Sequence, residues 1–377
     1  MKNFLWLLLA AVSVTGLFLT GRADLGLVPT LYLAGYGLSA VLAQLWVLLT
    51  ARLQSKVVFL VSLGYGRIVA EAVIGRSLVQ LRAVPGPLHV NWCISRAPMA
   101  RLRVWLGTAL SVGLQSALAL WLATGGTAYW PVGAGILSAT AARVLRSLRG
   151  TTGTGRILLL MPFRPSSLAL GSEANIRAGV ALWQGRIAEL RAVAPELAPE
   201  DNPDFDLAVL ALAEGRYADA EERGRRCLAQ AGSQADAVDA ALIIGSAIVG
   251  AADAGELPPD RYLPRLMTIM GEFNGPPKAV LRNVPAAIDF ARLENRLDDA
   301  VAAGHGQRGM YFARFWRAEA DCSLAAALGA TGRFDEARVA LQRARKNCPG
   351  LARIALVERQ LEQWAAAAPV EVRPVRG

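Results

Sequence analysis

Residues 57–79 read VVFLVSLGYGRIVAEAVIGRSLV. The stretch is apolar and near the roughly 20 residues an α-helix needs to cross a bilayer. It carries the small residues Gly66, Ala70 and Gly75, with Arg67 and Glu71 set among them. Read as a spanning helix over 57–75, it puts Arg67 and Glu71 four residues apart on one face. Ionisable side chains at membrane depth are costly and pair with one another or face a polar cavity.

The rest of the chain supports a bilayer setting. Of 377 residues, 54% are apolar, and the mean hydropathy is +0.34. Residues 1–183 hold 16 Lys and Arg against 3 Asp and Glu, whereas the remainder holds 24 against 27. Arginine beside membrane spans sets orientation and contacts anionic lipid. The basic balance is therefore assigned to the membrane half and not to nucleic acid, which asks for a basic face on a folded soluble domain. Spans are expected at 4–20, 28–50, 57–75 and 104–123. Residues 127–142, with Pro131, Gly133 and Gly135, read as a broken or re-entrant segment, and 157–183 as apolar stretches around a Pro- and Ser-rich break. Residues 4–20 could alternatively be a signal peptide with Lys2 as its basic end. Gly35, Gly37 and Ser39 suit a small-residue helix contact.

Loop 76–103 carries Arg76, Arg82, Arg96, Arg101 and Arg103, and segment 143–164 carries Arg143, Arg146, Arg149, Arg156 and Arg164, with no acid in either. Both are expected on the cytoplasmic side, with 124–130 external. Counting back across a span at 57–75 leaves Lys2, Arg52 and Lys56 outside, against the rule. Cys93, Cys227, Cys322 and Cys348 form no CxxC pair, which suits reduced thiols in a cytosolic compartment. His89 and His305 each stand alone and read as ordinary loop residues.

Residues 184–203 read as a linker, 204–367 as an Ala-rich helical domain and 368–377 as a tail. Two stretches, LAVLALAEGRYADAEERGRRCLAQAG (207–232) and LAAALGATGRFDEARVALQRARKNCPG (324–350), share one pattern. Each runs small and apolar, then Gly-Arg-aromatic-x-x-Ala, then a second amphipathic helix. This resembles the tetratricopeptide repeat, with Gly215, Tyr217 and Ala220 in one copy and Gly332, Phe334 and Ala337 in the other as anchors. A weaker match at 287–304 has Ala300 at the anchor position. The 80-residue gap from Ala220 to Ala300 leaves room for a divergent unit. The resemblance implies a helical solenoid with a groove suited to peptides and helices, recruiting a cytoplasmic protein.

The frame of residues 57–79 also resembles the first catalytic helix of the site-2 protease family of intramembrane zinc metallopeptidases, HExGHxxAAxxxGxxV. Leu63 and Arg67 then fall on the two zinc histidines, and Gly64 on the general-base glutamate. Leu63-Gly64-Tyr65-Gly66-Arg67 thus stands where the catalytic motif would be. Residues 157–176, ILLLMPFRPSSLALGSEANI, resemble the later ligand segment, with Glu173 at the ligand aspartate. Leu106-Gly107-Thr108-Ala109 resembles the start of the central helix. The resemblance covers about 57–183 and implies a degenerate relative that binds no zinc, since both histidines and the base are gone. It further implies that Arg67, flanked by Glu71 and Glu173, fills the former metal pocket as an ion network.

The expected fold is all-α: a polytopic membrane domain over 1–183, then a soluble tetratricopeptide-like domain. The expected function is a non-catalytic pseudoprotease scaffold in a bacterial cytoplasmic membrane. It would bind a membrane protein or peptide, or regulate an active relative, while the repeats recruit a cytoplasmic partner. Two alternatives stand beside it: a membrane-anchored repeat adaptor unrelated to proteases, and an active peptidase with a substituted site using Glu71 and Glu173.

Overall fold

The computed structural model describes residues 23–124, 129–148, 154–163, 170–201, 203–232, 234–272, 284–307 and 310–367. The span expected at 4–20 and the tail at 368–377 lie outside these. The chain is mostly helical and divides into two compact units. One comprises 1–65 and 79–171; the other comprises 66–78 and 172–377.

The expectation of an all-α chain fails at the stretch first quoted. Lys56–Ile74 is a β-strand (β1), paired with Ser77–Ile94 (β2) in a two-stranded sheet. The helix expected at 57–75 and most of the loop expected at 76–103 are therefore one long hairpin, which ends at Ile94. β-Branched residues recur through β1, at Val57, Val58, Val61, Ile68, Val69, Val73 and Ile74, and such side chains favour the pleated surface. Gly64 and Gly66 take φ +91° and +76°, a conformation no helix interior uses. A Cβ at Gly64 would sit 2.4 Å from the Val84 carbonyl oxygen. Gly75, at φ +58°, opens the two-residue turn to Ser77, where hairpin turns favour glycine. At the base, Ser95 N–H donates to Ser55 O at 2.8 Å, and the Lys56 Nζ lies 4.2 Å from the centre of the Trp92 ring.

In the first unit three helices pack together: α1 (Ala23–Thr50), α2 (Ala100–Thr124) and α3 (Trp130–Arg146). α1 over Leu27–Thr50, and α2, are long and apolar enough to cross a membrane. The segment expected to be broken at 127–142 is helical from Trp130, with Pro131 in its first turn, where proline costs no hydrogen bond. Small residues let the backbones approach. A Cβ at Gly35 would lie 2.2 Å from Val132 O, and one at Gly133 2.4 Å from Ala119 O. Gly35 and Ser39 thus both face helix neighbours, whereas Gly37 faces open space. Trp46 Nε1 donates to Gly107 O, and Arg143 Nη2 reaches Ser39 Oγ at 2.5 Å. These contacts fix the directions: α1 and α3 run parallel, and α2 runs against both. Thr50, Ala100 and Arg146 consequently share one end. Among the described residues of 157–183, a π-turn occupies Arg156–Leu160, and the second unit begins at Ser172.

The second unit is built from helical hairpins. In order these are α4 (Glu173–Gln184) with α5 (Ile187–Val193), α6 (Asp204–Ala213) with α7 (Tyr217–Ala229), and α8 (Gln234–Asp253) with α9 (Pro259–Glu272). Then come α10 (Pro285–Leu293) with α11 (Leu297–Gln307), α12 (Arg314–Ala330) with α13 (Phe334–Asn347), and the closing α14 (Ala352–Ala367). The linker expected at 184–203 is instead part of this core: Ile187, Leu190 and Val193 are buried in it.

All five hairpins use one turn. A residue at positive φ stands at Gly185, Gly215, Gly255, Asn295 and Gly332. The next N–H closes back on the preceding helix: Arg186 to Ala181, Arg216 to Ala211, Glu256 to Ala251, Arg296 to Ala291 and Arg333 to Leu328. That is the Schellman closure of a helix C-terminus. In the four arginine-bearing copies the guanidinium pairs with an acid three residues on, at Glu189, Asp219, Asp299 and Glu336.

The hairpins gather around α12, which packs against α4, α10, α11, α13 and α14 and is buried from Phe315 to Gly329. α14 also returns to α6 and α8. A charged cluster joins four helices here. Arg353 of α14 donates to Glu319 at 3.0 Å, Asp289 at 2.8 Å and Asp253 at 3.2 Å. Arg292 donates to Asp253 at 2.6 Å. Burial raises the Glu319 carboxyl, whereas Arg292 and Arg353 outweigh burial and lower Asp253.

Candidate functional site

The hairpin tip, 66–78, belongs to the helical unit. There the end of β1 lies along a groove of about 460 Å³ lined by α11, α12 and α13. Glu71 is its centre. Arg314 Nε donates to Glu71 Oε1 at 2.7 Å, and Arg317 Nη2 to Oε2 at 2.6 Å. The Glu71 side chain is 14% exposed and that of Arg317 9%. Two charge-assisted bonds to one partly desolvated carboxylate are among the stronger polar contacts a protein makes.

Helical spacing builds the receptor. Arg314, Arg317 and Asp321 follow at i, i+3 and i+7 on α12 and share one face, while Phe315, Ala318 and Cys322 pack into the core. On α13, Arg343 pairs with Asp321 at 3.0 Å, and Lys346 joins the lining. Arg67 completes it from the strand, on the same side as Glu71 because side chains alternate along a strand. The lining holds five cations against two acids. Burial alone would raise Glu71, but Arg317 and then Arg314 hold it below the ordinary carboxylate range. Burial lowers Arg317 more than Glu71 raises it; an arginine so lowered still carries its charge at neutral pH, so the pair is ionic.

The residues singled out from sequence are distributed as follows. Leu63 is exposed, and Gly64 meets a backbone requirement of the strand. Arg67 and Glu71 both line the groove, but the carboxylate of Glu71 goes to Arg314 and Arg317. Glu173 pairs with Arg76 at 2.5 Å, both side chains being about half exposed. The network expected among Arg67, Glu71 and Glu173 is therefore not formed. Its geometry presupposed a helix with ligands at i and i+4, and β1 has none. Of the residues read as repeat anchors, Gly215 and Gly332 stand at hairpin turns, Tyr217, Ala220 and Ala337 are buried, and Phe334 packs against the core.

Sequence reading missed Arg314 and Arg317. Their i, i+3 spacing on a helix that also carries Asp321 was the available signal. Among the groove's lining residues there is no His, Cys or Ser. All four cysteines are free, and no three His, Cys, Asp or Glu among the described residues are grouped to hold a metal. Comparison with known families, characterised proteins and solved structures finds no match.

Proposed function

We propose that the chain is a membrane-anchored adaptor. Its helical unit, of tetratricopeptide type, binds an extended carboxylate-bearing segment in the groove of α11, α12 and α13. The observation that carries this reading is the seating of Glu71 between Arg314 and Arg317. The chain's own strand acts as an internal ligand and displays the chemistry a partner would use: a strand with one acid, flanked by small or β-branched residues, in a groove of excess positive charge.

The membrane assignment rests on α1 and α2 and on charge. With 56–94 folded as a hairpin, one expected crossing disappears. Arg52, Lys56, Arg96, Arg101, Arg103, Arg143 and Arg146 then gather at one end of the α1–α3 bundle. The earlier conflict over Arg52 and Lys56 is thereby removed, and that end is assigned to the cytoplasm. A partner bound in the groove is accordingly a cytoplasmic protein. The pseudoprotease reading depends on a helix at 57–79 and loses its support when that stretch is a strand. The adaptor reading needs no such helix.

The test uses the full chain in detergent and a fluorescein-labelled peptide of residues 66–78. The Glu71→Gln chain, which releases its own tip, is expected to bind this peptide about tenfold more tightly than the unmodified chain. Arg314→Ala with Arg317→Ala should abolish binding, as should Gln in place of Glu in the peptide. Equal binding by all three chains would refute the groove as a docking site.

A further inference from the structure

The first unit holds a second cavity, of about 430 Å³, between α1 and α3. Its walls include Tyr36, Ala40, Gln44, Ala139, Arg143 and Arg146. Most of that surface is apolar side chain, with two guanidiniums one helical turn apart at the basic end of the bundle. Arg143 commits Nη2 to Ser39 and Gln115, both neutral, and its Nε and Nη1 carry further donors. Arg146 is exposed and has no ion-pair partner among the described residues. The Gln44 Oε1 is buried without a hydrogen-bond partner among them, and a flipped amide would present its NH₂ instead.

The residues of this unit include 13 Lys and Arg and a single acid, Asp24, in the first turn of α1 at the other end of that helix. No carboxylate of the unit is placed to neutralise Arg143 and Arg146. Both guanidiniums therefore remain open to an anion from outside it.

We propose that this cavity binds a phosphate group carried by an anionic lipid. The guanidiniums take the phosphate, because their planar donors match its oxygens. The walls of Tyr36, Ala40 and Ala139 take the start of the acyl region. The inference shares with the proposed function only the membrane anchor, and not the groove at Glu71.

The full chain is purified in detergent and its bound lipids are counted by native mass spectrometry after adding phosphatidylglycerol or phosphatidylcholine. Four variants accompany it: Arg146→Gln, Arg146→Lys, Arg143→Gln with Arg146→Gln, and Arg101→Gln with Arg103→Gln. The last removes the same charge from the same end but outside the cavity. A guanidinium hydrogen-bonded to the lipid phosphate is worth about fivefold in affinity, the net worth of one such bond. One retained phosphatidylglycerol is expected on the unmodified chain. It should weaken about fivefold in Arg146→Gln and more than tenfold in the cavity double variant, with little change in the control pair. Arg146→Lys should restore part of the loss. Equal loss in the control pair would overturn the site, leaving general surface charge. Displacement by millimolar inorganic phosphate would overturn the lipid as source, and no preference over phosphatidylcholine would overturn the proposal altogether. A chain that stays soluble without detergent would instead refute the anchor itself, a result separable from the others by fractionation before any lipid is added.

Discussion

At the residue scale the decisive side chain is Glu71. An isolated carboxylate in an apolar strand is unfavourable, and two guanidiniums on one face of α12 reverse that cost. The energetics carry a definite pH signature. Glu71 is held below the ordinary carboxylate range in the folded chain. Its contribution is therefore complete above the unfolded value of about 4.3 and is lost as pH falls through the lowered folded value. The thermal midpoint of the unmodified chain should exceed that of Glu71→Gln at pH 7, and the two should converge as pH drops below the carboxylate range. A constant difference down to that range and beyond would show that Glu71 acts through something other than its charge. The Arg353 cluster behaves differently. It is almost wholly buried and links α8, α10, α12 and α14, so removing one partner would leave an uncompensated buried charge.

At the element scale, one error and one success have physical causes. The pattern of 57–79 is apolar throughout, and apolar runs of this kind do not separate a buried strand from a helix by periodicity. The signals that did separate them were β-branching and the glycines at 64, 66 and 75, which mark turns and kinks in a strand but were read as the frame of a catalytic helix, with Gly64 at its general-base position. In the helical unit, Gly-Arg-aromatic exposed two turns because Gly215 and Gly332 need positive φ. The remaining three were less plain, the one at Asn295 reading only as the weaker match at 287–304. Gly185 fell in a presumed linker, Asn295 replaces glycine, and Gly255 is followed by Glu256 and Leu257 without the arginine. The 80-residue gap between Ala220 and Ala300 is filled by α8 and α9, turning at Gly255. Nothing lies within 4 Å of a Cβ placed on Gly255, so substitution there is felt through backbone conformation alone. Gly255→Ala is expected to destabilise the helical unit by about 1–2 kcal/mol, the cost of a left-handed non-glycine residue, in denaturant unfolding. An unchanged midpoint would mean that this turn is not part of the repeated set.

At the scale of the whole molecule, the hairpin explains why two sequence expectations could not both hold. A spanning helix at 57–75 would have placed Arg52 and Lys56 opposite the other arginines, whereas a hairpin keeps the basic residues together and adds its tip to the helical unit. The division into a basic, apolar half and a charged, helical half was legible from charge and hydropathy. The groove was not, because it joins residue 71 to residues 314 and 317, a separation that no local pattern encodes.

The most direct test is a double-mutant cycle on Glu71→Gln and Arg317→Met, read by thermal unfolding of the full chain in detergent at pH 7. Contacting charged partners couple by about 0.5–3 kcal/mol, and for this pair the expected coupling is about 1–3 kcal/mol, with Arg314 left in place. Strict additivity of the two substitutions would contradict the seating of the strand in the groove, and with it the adaptor function built on that contact.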